Sequence, residues 1–323
     1  MKNDFSVFRD PQDGGALTFF MGKLRNDRNG NTYPIIDGIP RFVFSSNYSD
    51  SFGFQWNKFR QTQLDSFTNT DITKTRLARC LNGHLDSISG KNVLEAGSGA
   101  GRFTEILLQN GALVHSFDFS NAVNANYFNN GSNERLFLAQ ADIRNIPFEK
   151  HHYDYVICLG VIQHTPTPED SIEFLYEMVK PGGLLIFDHY LFKIRNLLPP
   201  PFGSANILYR KVILLLPLKM RFAAIKFIVD CFFPIHWFLR KSLLMQRLLR
   251  RISPVHFYYP FLKLKSRQSY YDWALLDTHD STTDYYKHHR SVDQIKGFLS
   301  KLGATDILVS MAGNGIEAFC KKP

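Results

Sequence analysis

The sequence predicts an α/β fold on a largely parallel sheet, preceded by a small β-rich segment and interrupted late by a helical insert. Three observations predict it. Between residues 91 and 190 short apolar strands alternate with helical stretches, the pattern of successive βαβ units. The first of these strands runs straight into a glycine-rich loop, Gly97-Ser-Gly99-Ala-Gly101. From Leu191 to Tyr270 the chain turns basic, aromatic and helix-like, and α/β character then returns.

In chain order, residues 1–46 are rich in turns and end in TYPIIDGIPRFVF, where Pro34, Gly38 and Pro40 punctuate short β-type runs. Residues 47–190 form the main core. Its first part is helical by period: Phe52, Trp56 and Phe59 recur at 3–4 spacing, as do Leu77, Leu81 and Leu85. Strands follow at Asn92–Glu95, Leu113–Phe117, Leu136–Gln140, Tyr153–Leu159 and Leu184–Asp188, with helices starting near Gly101, Asn121 and Glu169. Residues 191–270 form the insert, and 271–323 return to the core. In that tail a helix near Val292–Leu302 precedes Asp306–Met311 and Ile316–Lys321, which AGNG joins as a hairpin.

Composition sets limits on function. The chain has 323 residues, 44% hydrophobic and 21% charged, which is globular rather than disordered. Its net charge of +9 is uneven: residues 191–270 hold 15 Lys+Arg and one acid, Asp230, leaving +14 there and −5 on the rest. A uniformly basic nucleic-acid coat is excluded, and one local cationic surface is implied. Cys80, Cys158, Cys231 and Cys320 lie far apart without CxxC pairing, which fits a reducing compartment. The N-terminus lacks the apolar core of a signal peptide, and Val212–Leu239 is broken by charges and by Pro217 and Pro234. A cytoplasmic protein is expected, with peripheral contact at the inner membrane face as one use of the basic insert.

The glycine loop points to a ligand. Glycines between strand and helix let backbone amides approach closely. The spacing is GxGxG rather than the GxGxxG of dinucleotide folds, and Glu95 stands two residues before the first glycine. An acid there opposes pyrophosphate but suits the ammonium and sulfonium charges of S-adenosylmethionine. Asp118 ends the second strand, where an acid can accept both ribose hydroxyls. Asp142 follows the third strand, where its carboxylate suits an adenine amino group and the Ile143 amide a ring nitrogen. The fourth strand ends in CLGVIQH, beside the expected methyl group. An ordinary glycine turn and helix-capping acids are the bland alternatives, disfavoured because these features sit at the ends of successive strands.

As a set, VLEAGSGAGRF, SFDFS, QADIRNIPF, CLGVIQH and LYEMVKPGGLLIFDH resemble the class I S-adenosylmethionine-dependent methyltransferases over residues 91–190. The resemblance implies a Rossmann-like seven-stranded sheet whose last strand runs antiparallel, and S-adenosylmethionine as cofactor. Glu95, Gly97, Ser98, Gly99, Gly101, Arg102, Phe103, Asp118, Phe119, Asp142, Ile143, Leu159 and Gly160 are then the expected cofactor residues. SFGFQWNKFRQTQLDS, GVIQHTP and WALLDTHD resemble a bacterial subgroup with a helical insert, often found with surface-carbohydrate and lipid biosynthesis. TYPIIDGIPRF is similar to the small Trm112-like module, in which many members carry two CxxC zinc pairs. Here those places read Asp10-Pro-Gln-Asp13 and Asn26-Asp-Arg-Asn29. Carboxylates and amides replace thiolates poorly in a tetrahedral zinc site, so a metal-free segment is expected.

Methyl transfer to an oxygen needs an oriented nucleophile and a proton acceptor. His164, after the fourth strand, is the first candidate base; the alternative is a histidine capping the next turn. Asp188 at the end of the fifth strand is placed to orient a base or bind substrate. His279 lies beyond the insert and is a further candidate, with a helix cap at Asp277 or Thr278 as the bland alternative. The insert is expected as a lid over a small-molecule or lipid-linked acceptor. Its charges fit an anionic acceptor, an anionic membrane surface, RNA phosphate, or a solvated helix face. A methyltransferase fold kept as a non-catalytic scaffold is the competing class. Oxygen is favoured over nitrogen as the methyl acceptor.

Overall fold

The computed structural model describes residues 4–43, 47–194, 198, 200, 202–259, 261–313 and 315–323. Phe44 of the first segment, Arg195 of the basic block and Asn314 of the AGNG turn lie outside them. A four-stranded antiparallel sheet opens the chain: β1 (Thr18–Phe20), β2 (Lys23–Arg25), β3 (Thr32–Ile36) and β4 (Ile39–Pro40). Helices α1 (Asp50–Lys58), α2 (Asp65–Thr68) and α3 (Ile72–Cys80) follow. The main sheet begins with β5 (Asn92–Ala96), α4 (Arg102–Gln109), β6 (Leu113–Asp118), α5 (Val123–Asn130) and β7 (Leu136–Gln140). It continues with β8 (Tyr153–Cys158), α6 (Pro168–Met178) and β9 (Val179–His189). The insert holds α7 (Asn206–Leu215), α8 (Leu218–Phe238) and α9 (Leu243–Leu249). Then come α10 (Arg267–Thr283), α11 (Val292–Lys301), β10 (Thr305–Ala312) and β11 (Gly315–Lys321).

The seven strands lie in the order β10-β11-β9-β8-β5-β6-β7. All pairs among β5 to β9 are parallel, while β11 inserts between β9 and β10 and runs antiparallel to both. This is the Rossmann-like sheet expected from the sequence. Strands buried on both faces read as nearly continuous apolar runs, and alternate residues serve opposite layers. On β8, Tyr155 and Ile157 pack with Leu77, Leu81, Ile106 and Leu107 of one helical layer. Val156 and Cys158 face Ile172, Leu175, Ile295 and Leu299 of the other. Local signals agree: α6 carries proline in its first turn, and α11 starts on a Ser291–Gln294 capping box.

The insert has its own core, in which Ile213, Ile225, Val229, Phe233 and Phe257 pack with Tyr270, Ala274, Leu275 and Leu276. The last four sit on α10, so the sequence boundary between 270 and 271 falls inside a helix whose apolar side completes the lid. Asp277, Thr278 and His279 are therefore mid-helix residues, not caps.

In the N-terminal segment the four positions Asp10, Asp13, Asn26 and Asn29 converge. The Asn26 amide donates to Asp10 at 2.7 Å and to Asp13 at 2.9 Å, and the Asn29 amide donates to Asp10 at 2.9 Å. The Tyr33 hydroxyl adds a bond to Asp10 at 2.7 Å. Burial pushes the Asp10 carboxyl upward, but its hydrogen bonds from Gln12, Asn26, Asn29 and Tyr33 outweigh that and hold it well below the usual range. Among the described residues, no group of three or more His, Cys, Asp or Glu side chains is arranged to hold a metal ion.

Candidate active site

A cavity of about 990 Å³ opens at the carboxyl ends of β5, β6, β7 and β8, and the insert roofs it. This is where a doubly wound sheet leaves room for a ligand, because the loops leaving adjacent strands diverge there. The β5 loop brings Gly97, Ser98, Gly99, Arg102 and Phe103 to the wall. Left-handed backbone at Gly97 (φ 77°) and Gly99 (φ 53°) turns the loop. A side chain at Gly97 would run into Val161, so the close approach of the β5 and β8 loops needs glycine there.

Asp118 lines the cavity and pins this loop. One carboxylate oxygen accepts the Gly99 N–H at 2.9 Å, and the other accepts the Ser120 N–H at 2.8 Å and hydroxyl at 2.7 Å. Burial still raises its pKa above the ordinary value. Phe119, Asp142 and Ile143 continue the wall, with Asp142 paired to Arg144 at 2.6 Å. Leu159 and Gly160 complete it from β8. Ser98 lines the cavity, and its hydroxyl is buried without a hydrogen-bond partner. The two carboxylates, Asp118 and Asp142, on a wall formed by the glycine loop fit a nucleoside that also bears positive charge.

Two expected cofactor residues turn away from the cavity. Glu95 is buried under the loop, where Thr104 and Ser116 donate to one oxygen and the other has no partner. Burial pushes its carboxyl up to about 7 despite those hydrogen bonds. The reason lies in strand alternation: Glu95 points into the helical layer, not along the strand axis toward the ligand end. Gly101 (φ 84°) faces Asn126 and Asn130, and its carbonyl accepts the Asn130 amide at 3.0 Å. It sets the start of α4 instead of touching the cavity.

Of the three expected catalytic side chains, His164 alone is on the wall. Its Nδ1 lies 3.0 Å from the Tyr286 carbonyl, which can only accept, so Nδ1 carries the proton and Nε2 is the free base in the neutral ring. Buried Asp284 stands 3.6 Å from the same Nδ1 and is itself paired with Arg210 at 2.6 Å and Lys287 at 2.9 Å. Asp188 does not reach the cavity wall: it accepts the Gly160 N–H at 2.6 Å and pairs with Arg76, which fixes the β8 loop. His279 is also off the wall. Burial lowers its pKa to about 4, and its Nδ1 bonds Gln55 Oε1 at 2.7 Å. The Gln55 amide in turn donates to Asp280 at 3.2 Å, so His279 positions a cavity carboxylate indirectly.

That carboxylate belongs to a set absent from the sequence expectations. Asp277 and Asp280, one helical turn apart on α10, both line the cavity with Arg102, Arg76 and Gln63. Asp277 accepts from Gln63 and Trp273, each at 3.2 Å. Burial, then the neighbouring Asp280, pushes its carboxyl up to about 6. Burial also lowers Arg102 to about 10. The available signal was the spacing Asp277, Asp280, Asp284 along one side of a helix. A folded-state pKa above the unfolded value means stability is lost as pH rises from about 4 through about 6. Asp277→Asn is therefore expected to gain up to about 3 kcal/mol at pH 8 and nothing at pH 4, read from urea unfolding at the two pH values.

Residues 94–187 match the family described as a methyltransferase domain. Similar curated proteins include ubiquinone biosynthesis O-methyltransferases. That of Pseudomonas entomophila is 35% identical over 107 residues, 31% of this chain and 45% of the relative. That of Shewanella sp. (strain ANA-3) is 28% identical over 134 residues, 38% and 52% of the two chains. The chain thus spans about half the length of the curated relatives it matches. Similar solved structures include magnesium protoporphyrin IX methyltransferase from Synechocystis PCC 6803, with S-adenosylhomocysteine bound. It is 16% identical, with 85% of this chain and 97% of that one covered, at a TM-score of 0.45. A methyltransferase from Aquifex aeolicus is 12% identical, covering 86% and 100%, at a TM-score of 0.44.

Proposed function

We propose that this chain, a class I S-adenosylmethionine-dependent methyltransferase by its domain at residues 94–187, methylates an oxygen of a small or lipid-linked anionic acceptor held beneath the helical insert. The Gly97–Gly99 loop, whose amides are bonded to the Phe117 carbonyl and the Asp118 carboxylate, shapes the wall against which the methionine end of the cofactor packs. Asp118 takes the ribose hydroxyls, and Asp142 with the Ile143 amide takes the adenine. When bound, S-adenosylmethionine supplies an electrophilic methyl group on a sulfonium.

The protein's own part is to orient the acceptor and receive its proton. The observation that carries this reading is His164, on the cavity wall with Nδ1–H committed to the Tyr286 carbonyl at 3.0 Å. Its Nε2 accepts the acceptor's hydroxyl proton, and Asp284 stabilises the imidazolium that results. The insert excludes water, which strengthens both interactions. Lys193 and Lys211 line the cavity and form no ion pair among the described residues, which suits an anionic group on the acceptor. By contrast Arg210 and Lys287 are committed to Asp284.

The test is transfer of labelled methyl from S-adenosylmethionine to cell extract separated into lipid, carbohydrate and RNA fractions. Label is expected in a small-molecule or lipid fraction as a base-stable ether or base-labile ester. Label confined to RNA would overturn the acceptor class, and failure to bind the cofactor in calorimetry would leave a scaffold.

A further inference from the structure

The insert leaves an apolar face uncovered. Helix α8 is apolar on two opposite sides. Ile225, Val229, Phe233 and His236 recur at 3–4 spacing and are buried in the lid core. On the other side Met220, Ala223, Phe227, Cys231, Pro234 and Phe238 recur at the same spacing, and every one is exposed. Phe227 is 70% exposed and Phe238 83%. At 1.5 Å per residue this stripe is about 27 Å long. Lys219, Lys226 and Asp230 run along one flank, with Lys226 and Asp230 paired at 2.6 Å.

The neighbouring helices repeat the arrangement. On α7, Leu208, Val212 and Leu215 are exposed at i, i+4 and i+7, while Ile207, Arg210 and Lys211 line the cavity. In and just after α9, exposed Leu244, Leu248 and Ile252 interleave with exposed Arg247 and Arg251. His236 ties that segment to α8 through Gln246 at 2.7 Å and Ser253 at 2.9 Å. Apolar surface of this extent on a folded domain marks a contact site.

We propose that this face docks on the surface of an anionic lipid bilayer, with the α8 stripe at the headgroup–acyl boundary and the surrounding lysines and arginines among the headgroups. The charge chooses the occupant. Exposed Lys219 flanks the α8 stripe and exposed Arg247 and Arg251 interleave with the α9 one, so two copies meeting through this face would bring like charges together. A polyanion such as RNA would use the cations and leave the apolar stripe in water. An anionic bilayer uses both, as interfacial helices with basic flanks do. No helix among the described residues is long and apolar enough to cross the membrane, so the contact lies in the interface plane. The inference stands apart from methyl transfer, although docking would bring the cavity roof to the bilayer.

The test is co-sedimentation of the full chain with phosphatidylcholine vesicles and with vesicles also containing phosphatidylglycerol. Binding is expected to the anionic vesicles only, and to weaken at least about tenfold between 0.05 and 0.5 M salt. Phe227→Glu with Phe238→Glu is expected to weaken it at least about tenfold with an unchanged thermal melt, because both side chains are already in water. Arg247→Glu with Arg251→Glu should weaken it and flatten its salt dependence. Absence of sedimentation with anionic vesicles at low salt, or binding indifferent to the phenylalanine changes, would overturn the proposal. So would a dimer in analytical ultracentrifugation that the phenylalanine changes dissociate, since the face would then belong to a second copy. Cofactor affinity is measured on the same samples, so failure here is separable from failure of the methyltransferase reading.

Discussion

His164→Ala is expected to lower kcat by about 10²- to 10⁴-fold, the usual contribution of a positioned general base, while leaving the calorimetric affinity for S-adenosylmethionine within about twofold. The two readouts separate because His164 sits on the cavity wall beyond the glycine loop, with its Nδ1 on the Tyr286 carbonyl. Nothing in that arrangement supports Asp118 or the β5 loop. Restoring an imidazole-sized group without a base, as in His164→Gln, should not recover the rate. A rise in the pH at which His164→Ala reaches half its maximal rate is also expected, since hydroxide must then replace the lost base. Full activity in His164→Ala would discard the assignment. Asp277 and Asp280, carboxyls on the wall that burial pushes upward, would then become the candidates.

Asp118→Ala is expected to weaken S-adenosylmethionine binding by about 2–4 kcal/mol, roughly 30- to 700-fold, without unfolding the protein. Two losses combine. The carboxylate that would receive the ribose hydroxyls disappears, and the Gly99 N–H loses its 2.9 Å acceptor, so the loop that lines the cavity loosens. The fold should survive because burial already disfavours the Asp118 charge, raising its pKa in the free protein. Thermal denaturation with and without cofactor measures both effects. The variant should melt near the parent temperature when free and gain little on adding ligand. An unchanged affinity would remove Asp118 from the cofactor site, and with it the reason for reading the strand ends as one binding constellation.

Much of the architecture was legible because its signals are local. Apolar runs such as NVLEA and YDYVIC alternate with helical stretches, and that alternation alone implies a parallel sheet with its ligand site at the strand carboxyl ends. Gly97, Gly99, Asp118 and Asp142 sit within a residue or two of those ends and line the cavity. Glu95 belongs to the same motif yet faces inward, because side-chain direction depends on which layer each side of the strand meets, and Gly101 abuts Asn126 and Asn130 at the start of α4. Asp188 and His279 illustrate the limit further. Each looked reactive in sequence, and each is tied into supporting contacts with distant residues, Arg76 and Gln55.

The sequence by itself determined the sheet, the place of the cofactor loop and the concentration of positive charge in residues 191–270. All three follow from periodicity, glycine spacing and counting, which need no long-range contact. Tertiary structure alone decided that α10 belongs to the lid core, that Asp277 and Asp280 share a cavity with the β5 loop, and that α8 turns phenylalanines outward. Those outcomes depend on which faces of distant helices find each other. Burial, and with it the upward shift of Asp118, Asp277 and Asp280, is set only once they have packed.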